Sequence, residues 1–530
     1  MAVRIEDVKA AGIAVDIDAL AESGFASISD EDKYRLKTQG VCAQRQVGVF
    51  MIRIRVPGGT ISPTTLRRVA DLADRYGAPM LHITTRAGLE LHHVPIEHVP
   101  ALFDELAEIG LTTKGSCGDT LRNVIACSHV GTYAGEVLAL EPFVRLLHDH
   151  IVATSDTTNV SRKMNVALAC SPNCDEHVAT MDIGFVATPS PDGGPPTFTV
   201  WGAGGLGATP RLAIELRRNL AQVDMLPAFD ALVAIGARFA DRTNRAKAKI
   251  KMLVDAWGVG RFRETFDDEF ERAKARAGYG AVSLMETPGR RDAVPPRAHR
   301  AVPQKQRGRY TIPALVPMGE LTTAAARGLA DVAERIGRGI VYLTPDQNAE
   351  LHDVPEARVG EALTALEALG LRTRGRGGIA DVVSCVGLEY CALAVAHSMT
   401  MGEELALAFD GLTDDPRYDD FRIHVSGCPH SCAKHQVADI GLAGALTTVD
   451  GVKVEAYALY VGGNARERVL ATMYPKKIER REIVRVVDAL LERYERERGP
   501  NERFSQTVAR LGVAAFFELI EATLAREAAA

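Results

Sequence analysis

The sequence has no excess of positive charge. Its 62 Lys and Arg face 68 Asp and Glu, for a formal net charge of −6. Nothing here favours bulk attraction to nucleic acid or to an anionic membrane surface. No uninterrupted apolar run reaches the length of a bilayer-spanning helix. The opening MAVRIEDVKA lacks a basic region followed by an apolar stretch, so no secretory signal is expected and the cytoplasm is the expected compartment. No dinucleotide fingerprint is evident: GAGGLGAT (202–209) is glycine-rich but stands outside a strand-to-helix context, so electrons would have to come from a separate protein. Cysteines are few and odd in number, nine in 530 residues, which argues against a secreted disulfide framework. Reduced thiols are usually buried fillers, metal ligands or catalysts, and spacing must decide between these.

What is present is ordinary for a soluble globular chain, with 46% hydrophobic and 25% charged residues. The length suggests about three or four domains. The clearest organising signal is an internal repeat. Val56 to Pro95 lies without gaps on Val316 to Pro355, an offset of 260, with 15 of 40 positions identical. Asp71, Arg75 and Gly77 return as Asp331, Arg335 and Gly337, and Glu90-Leu91-His92 as Glu350-Leu351-His352. A long period occurring twice indicates duplication and fusion.

Each copy reads alike. FMIRIRV (50–56) alternates like a half-buried strand, and 63–76 has apolar residues at helical spacing with Gly77 just past its end. MLHIT and LELHHV read as a strand pair, with a helix near 98–109. This β-α-β-β-α order resembles half of a ferredoxin-like α+β unit. A later segment also recurs, NVALACSPNC (165–174) as IHVSGCPHSC (423–432), each followed by DIG. Residues 244–257 read as a helix ending the first half, and 474–485 as a solvated basic helix face that would suit an acidic electron donor.

In the second half Cys385 and Cys391 form C-x5-C, and Cys428 and Cys432 form C-x3-C. Two close thiolate pairs can wrap a soft-metal centre. A 4Fe-4S cluster fits C-x5-C better than structural zinc does, although His430 and His435 keep zinc open at this point. In the first half Cys170 and Cys174 match Cys428 and Cys432. Cys117 and Cys127 do not reproduce C-x5-C, so these four read as remnants of a decayed site, the alternative being a second cluster. Cys42 reads as structural and without a partner.

Cations concentrate in the first half: Arg53, Arg55, Arg86, Arg122, Arg162 and Lys163. The second half has Asp346 and Val382 at the repeat positions of Arg86 and Arg122. Arg55 reads as a solvated surface residue. Arg122 sits in a glycine- and cysteine-rich segment, where an arginine cluster suggests anions or a carboxylate-rich cofactor.

These residues resemble the sirohaem-containing sulfite and nitrite reductase family. The motifs are FMIRIRVPGG, ITTRAGLELHHV, CGDTLRN, SRKMN, LTPDQN, C-x5-C and SGCPHSC, spread from KYRLKTQG near residue 33 to the end of the second half. The resemblance implies an α+β fold of duplicated sulfite/nitrite reductase repeats, with ferredoxin-like half-domains and sirohaem- and cluster-binding domains related by a pseudo-two-fold. It implies that Cys385, Cys391, Cys428 and Cys432 hold one 4Fe-4S cluster and that Cys432 bridges it to sirohaem. Arg53, Arg122 and Lys163 would grip the oxyanion, Arg86 would pair with sirohaem carboxylates, and Gln347 would sit on the cofactor. Gly462 and Gly463 match a glycine pair of the family's closing segment. His92, and His352 at its repeat position, read as structural strand residues.

Two departures matter. Sulfite reductases of the family usually have K-x-K where this chain has Lys163-Met164-Asn165, and nitrite reductases tend to K-x-N. Asn165 leans the reading toward nitrite, a monoanion. The family's CPNSC is CPHSC here, and His430 reads as a simple replacement for asparagine.

The expected organisation is an extension over 1–45, a ferredoxin-like half-domain over 46–115, a sirohaem/substrate domain over 116–284, a linker over 285–310, a second half-domain over 311–375 and a cluster/sirohaem domain over 376–530. The expected activity is a six-electron reduction of nitrite to ammonia or sulfite to sulfide, with ferredoxin as donor. A precorrin-3B synthase-like oxygenase is a second enzymatic reading. A zinc-stabilised or electron-carrying protein is a non-enzymatic one.

Overall fold

The computed structural model describes residues 4–154, 160–276, 278–279 and 300–528. Most of the segment read as a linker, 285–299, lies outside them. Within its remainder, Val302–Pro303 is a strand paired with the strand Arg309–Ala314. Similarly, residues read as an N-terminal extension contain helices and the strand Val41–Ala43, which joins the first sheet alongside Val49–Ile54.

The described residues form four five-stranded sheets. The repeat supplies two of them, and local sequence explains their helices. Pro63–Tyr76 is capped by Ser62, whose hydroxyl accepts from the Thr65 N–H, and it ends at Gly77. It buries Leu66, Val69, Ala70, Leu72 and Ala73. Thr323–Ile336 is capped in the same way by Thr322 and ends at Gly337. Each fully buried Leu or Val contributes about 1.5–3 kcal/mol relative to exposure.

The two copies exchange strands. Thr60–Ile61 of the first pairs with Val341–Leu343 of the second, and Glu320–Thr322 of the second pairs with Met80–Ile83 of the first. Gly59 and Gly319 make the exchange possible. Both have φ of 76°, and an added Cβ would lie 2.0 Å from the Leu343 carbonyl oxygen or 2.4 Å from that of Ile83. The helices meet across the pseudo-two-fold through reciprocal ion pairs. Arg67 reaches Asp331 and Glu334, and Arg327 reaches Asp71 and Asp74. These groups are partly exposed, so each pair contributes about 0–1 kcal/mol and chiefly fixes register. One apolar core runs through both copies, from Phe50 and Leu91 to Ile312 and Leu351.

The other two sheets share one topology. Leu121–Ala126, Met164–Ala169 and Ile183–Thr188 run parallel, then Thr197–Gly202 and Ile214–Leu220 run antiparallel. In the second half Val383–Ser384, Ile423–Ser426 and Ile440–Val449 are parallel, followed by antiparallel Val452–Val461 and Thr472–Glu479. Cysteines sit at the carboxyl ends of the parallel strands, where ligand sites of α/β sheets commonly lie. Cys127 follows Ala126, Cys170 follows Ala169, Cys385 follows Ser384, and Cys428 lies two residues past Ser426.

Two local expectations need correction. Residues 244–257 are helical only over Lys251–Trp257, because Asn244 accepts from the Ala246 N–H and holds the preceding residues in turns, and a further helix, Val259–Lys274, follows. The basic stretch 474–485 is mainly strand: Thr472–Glu479 precedes the helix Ile483–Glu497. That strand pairs antiparallel with the strand Val452–Val461, and this ladder prevails over the helical reading. Among the described residues no helix is long and apolar enough to cross a membrane.

Candidate functional site

Two adjoining chambers lie between the halves. The first, about 360 Å³, is lined by Cys385, Cys391, Cys428 and Cys432 on one side and by Arg53 and Arg122 on the other. The second, about 350 Å³, is lined by Asn165, Lys249, Lys251, Ser431 and Lys434. Arg86, Lys163, His430 and Cys432 face both. The carbonyl of Cys432 accepts from the Thr85 hydroxyl at 2.9 Å, which ties this junction to the first repeat.

Three of the four second-half thiols are dressed for anionic sulfur. The Gly427 N–H donates to Cys385 Sγ at 3.1 Å and the Leu393 N–H to Cys391 Sγ at 3.4 Å. Ser398 Oγ lies 3.4 Å from Cys385 Sγ. His430 Nδ1 lies 3.2 Å from Cys428 Sγ, so this histidine contacts a candidate ligand directly and is more than a space-filling replacement. Burial and the neighbouring Cys432 push the Cys385 thiol up to about 12, and burial pushes Cys428 up to about 11. Such thiols stay protonated at neutral pH unless a cationic centre binds them. Among the described residues only Cys127, Cys170 and Cys174 bring three candidate ligand atoms within 4.8 Å of one another. The second-half four are thus spread wider than one tetrahedral zinc requires, about 3.8 Å between sulfurs at a Zn–S distance near 2.3 Å. Four thiols around a shared chamber, three of them with polar partners at sulfur, fit a cluster better than a single zinc ion.

The cations are built in from the first half. Arg53, on the strand Val49–Ile54, is held by Glu90 at 3.2 Å. Burial opposes its charge, but Glu90 and the nearby thiolates raise its pKa overall. Arg122 donates to Thr120 Oγ1 at 2.9 Å and the Gly118 carbonyl at 2.7 Å, while its Nε is buried without a partner. Arg55 is not the solvated residue expected. It is 1% exposed and donates to the carbonyls of Lys114, Leu121 and Arg122, which pins the start of the strand that carries Arg122.

Arg86, Lys163 and Lys434 make no side-chain hydrogen bond or ion pair among the described residues. Burial lowers Arg86 to about 10, with Arg53 and Arg122 adding to the effect. Burial likewise lowers Lys163 and Lys434 to about 8. Three half-buried cations with no hydrogen-bonded or ion-paired side chain, beside the orphaned Ser431 hydroxyl, fit a carboxylate-rich group such as sirohaem.

Asn165 faces only the second chamber. Its Nδ2 donates to Asp182 at 3.2 Å, and Asp182 also holds Lys249 at 2.9 Å. Gln347 lines the first chamber, but its amide is committed to protein partners: the Ser384 N–H at 2.9 Å, the Ile83 carbonyl at 3.2 Å and the His82 ring. Gly462 and Gly463 line neither chamber. Gly462 has φ of 80° with no room for a Cβ beside Val508, and Gly463 lies against the Ala438 carbonyl, so close packing accounts for both.

The chain matches two family descriptions, each twice. Residues 43–109 and 302–369 match the nitrite/sulfite reductase ferredoxin-like half domain, and 117–274 and 376–528 match the nitrite and sulphite reductase 4Fe-4S domain. The chain belongs to the nitrite and sulfite reductase family. It is 32% identical to the ferredoxin–nitrite reductase of Synechococcus elongatus over 85% of this chain and 88% of that one. It is 27% identical to sulfite reductase (ferredoxin) 1 of Mycolicibacterium paratuberculosis, over 93% of this chain and 91% of the relative. Its fold matches the NirA protein of Mycobacterium tuberculosis with a TM-score of 0.84 at 25% identity, covering 96% of each chain.

For a nitrite and sulfite reductase, the first-half cysteines hold a surprise. Cys127, Tyr133, Cys170 and Cys174 each stand 258 residues before Cys385, Cys391, Cys428 and Cys432. Three of the four cluster positions are therefore kept, with tyrosine in the fourth. An offset of 258, in place of the 260 of the earlier repeat, was the signal that would have revealed it. Cys42 is not alone either, because it lies beside Cys117 and Arg53 in the first chamber. The nine cysteines divide into sets of four, three and two.

Proposed function

We propose that this protein is a sirohaem- and 4Fe-4S-dependent reductase that takes nitrite to ammonia with electrons from ferredoxin. Nitrite or sulfite reduction follows from the family and from relatives named for both activities. The observation that carries the reading is the placement of Cys432 at the junction of the thiol-lined and cation-lined chambers.

Cys385, Cys391, Cys428 and Cys432 would hold the cluster, and Arg86, Lys163 and Lys434 would meet the sirohaem carboxylates. When bound, this pair supplies single electrons and an open iron site. The chain's own residues do the rest. Arg53 and Arg122 present guanidinium donors to a small oxyanion, with their positions set by Glu90, Thr120 and the carbonyl-bound Arg55. Lys163 titrates near neutral pH, so it can release a proton at Nζ and regain it from water. Retention of all three cations supports the reductase over a precorrin-3B synthase-like oxygenase.

Asn165 supports nitrite. A neutral amide bonded to Asp182 adds no charge to the second chamber, and the nearby Lys249 is neutralised by the same carboxylate. Nitrite is a monoanion, whereas sulfite takes on a second negative charge as pH rises through neutral. Leu393 and Val395, exposed beside Cys391, offer an entry point for electrons from ferredoxin. Free thiols at all nine cysteines suit a reducing compartment such as the cytoplasm. The test is steady-state turnover of the holoenzyme with reduced methyl viologen. A higher kcat/KM on nitrite than on sulfite is expected, and equal or better turnover of sulfite would refute the assignment.

A further inference from the structure

Cys127, Cys170 and Cys174 come from three backbone segments: the end of the strand Leu121–Ala126, the end of the strand Met164–Ala169, and the turn Pro172–Cys174. Their sulfurs nevertheless converge. All three Sγ–Sγ distances are 3.4 Å, and the residues are 5%, 0% and 2% exposed. The Cys170 N–H also donates to Cys127 Sγ at 3.4 Å. Small buried fillers have no reason to bring three sulfurs to one point, and the N–H donor favours an anionic sulfur.

The cluster ligands offer an internal comparison. At the equivalent positions, 258 residues on, four thiols surround an open chamber and are not convergent. Here three thiols close on a volume too small for a cubane, and Tyr133 replaces the fourth. Single-ion geometry is close at hand: a thiolate-bound zinc separates its sulfurs by about 3.8 Å, a few tenths of an ångström more than observed. His129 lies beside Cys127, and Tyr133 lies beside Cys170 and Cys174, so a fourth donor is available.

We propose that Cys127, Cys170 and Cys174 form a structural site for one thiophilic divalent ion, zinc, separate from the catalytic centre. Binding displaces thiol protons to solvent and leaves the metal's oxidation state unchanged, so no oxidant or reductant is needed. The ion pins the carboxyl ends of the two strands that carry Arg122 and Asn165. The former cluster position of the duplicated fold would thus have been retained as a brace.

The test uses full-length holoenzyme purified from zinc-supplemented cells. Elemental analysis should find about one zinc per chain besides the iron, and zinc-edge X-ray absorption should show three sulfur scatterers at about 2.3 Å. Cys174→Ser should lose the zinc while keeping wild-type iron content and the EPR signal of the reduced cluster. Cys42→Ser should keep the zinc. Absence of zinc from the wild type would overturn the proposal whether or not the variants fold. So would zinc without sulfur neighbours, a disulfide among the three cysteines, or zinc lost with Cys385→Ser but kept in Cys174→Ser.

Discussion

Arg53 and Arg122 point into the first chamber with their geometry fixed by other residues, so their truncation should act on the anion and spare the fold. Losing one charge-assisted hydrogen bond of about 1.5–3 kcal/mol corresponds to about a 10- to 150-fold drop in kcat/KM. Arg53→Leu and Arg122→Gln should show that drop on nitrite in steady-state assays, with sirohaem absorption retained. Asn165→Lys should raise the ratio of sulfite to nitrite turnover, and an unchanged ratio would remove Asn165 as a selector. Lys163 is protonated below about 8, so kcat should fall as pH rises through that value and the fall should move upward in Lys163→Arg. At this scale the sequence was legible where a motif names its own chemistry: the four second-half cysteines and the three cations do share a chamber. It was misleading where a residue's role depends on distant chain. Arg55 looks like any strand arginine until the segment 114–122 folds over it, and Cys42 meets Cys117 across a long stretch of sequence.

Elements were legible wherever local patterns sufficed. The helix Pro63–Tyr76 carries its own cap, apolar stripe and terminating glycine. The exchanged strands were not legible, since Thr60–Ile61 is only two residues long and finds its partner in the other copy. The exchange yields a symmetric prediction. Gly59→Ala and Gly319→Ala should each destabilise the protein by more than about 1 kcal/mol, measured as a drop in Tm, because a Cβ would collide with a carbonyl at positive φ. A second test concerns the contact between halves at Glu350, which binds Arg376, His352 at 3.1 Å and Ser128 at 3.1 Å. Burial alone would raise the Glu350 carboxyl, yet Arg376 and His352 hold it down at about 2, below its ordinary value of 4.5. A depressed carboxylate stabilises above its unfolded pKa and loses that contribution as pH falls from about 4.5 toward 2. The shift corresponds to about 3 kcal/mol. Urea titrations should therefore show Glu350→Gln weakened near pH 7, with the difference from wild type shrinking across that acidic window.

At the scale of the whole molecule, duplication divided the labour. The second copy keeps the four chamber-lining thiols, the first copy supplies Arg53, Arg122 and Lys163, and the chambers lie where the copies face each other. The repeat itself was plain from the offset of 260. The first copy's three kept thiols were hidden by its drift to 258, which left Cys127 looking unrelated to Cys385. The account rests on Cys432 joining the two chambers, and optical absorption combined with low-temperature EPR tests this most directly. Wild-type holoenzyme should show Soret and red sirohaem bands with about five irons per chain, four in the cluster and one in the haem, and the two centres should be magnetically coupled. Cys432→Ser should lose the cluster or uncouple it from the haem. A colourless wild type, or an unchanged coupled spectrum in Cys432→Ser, would contradict the account.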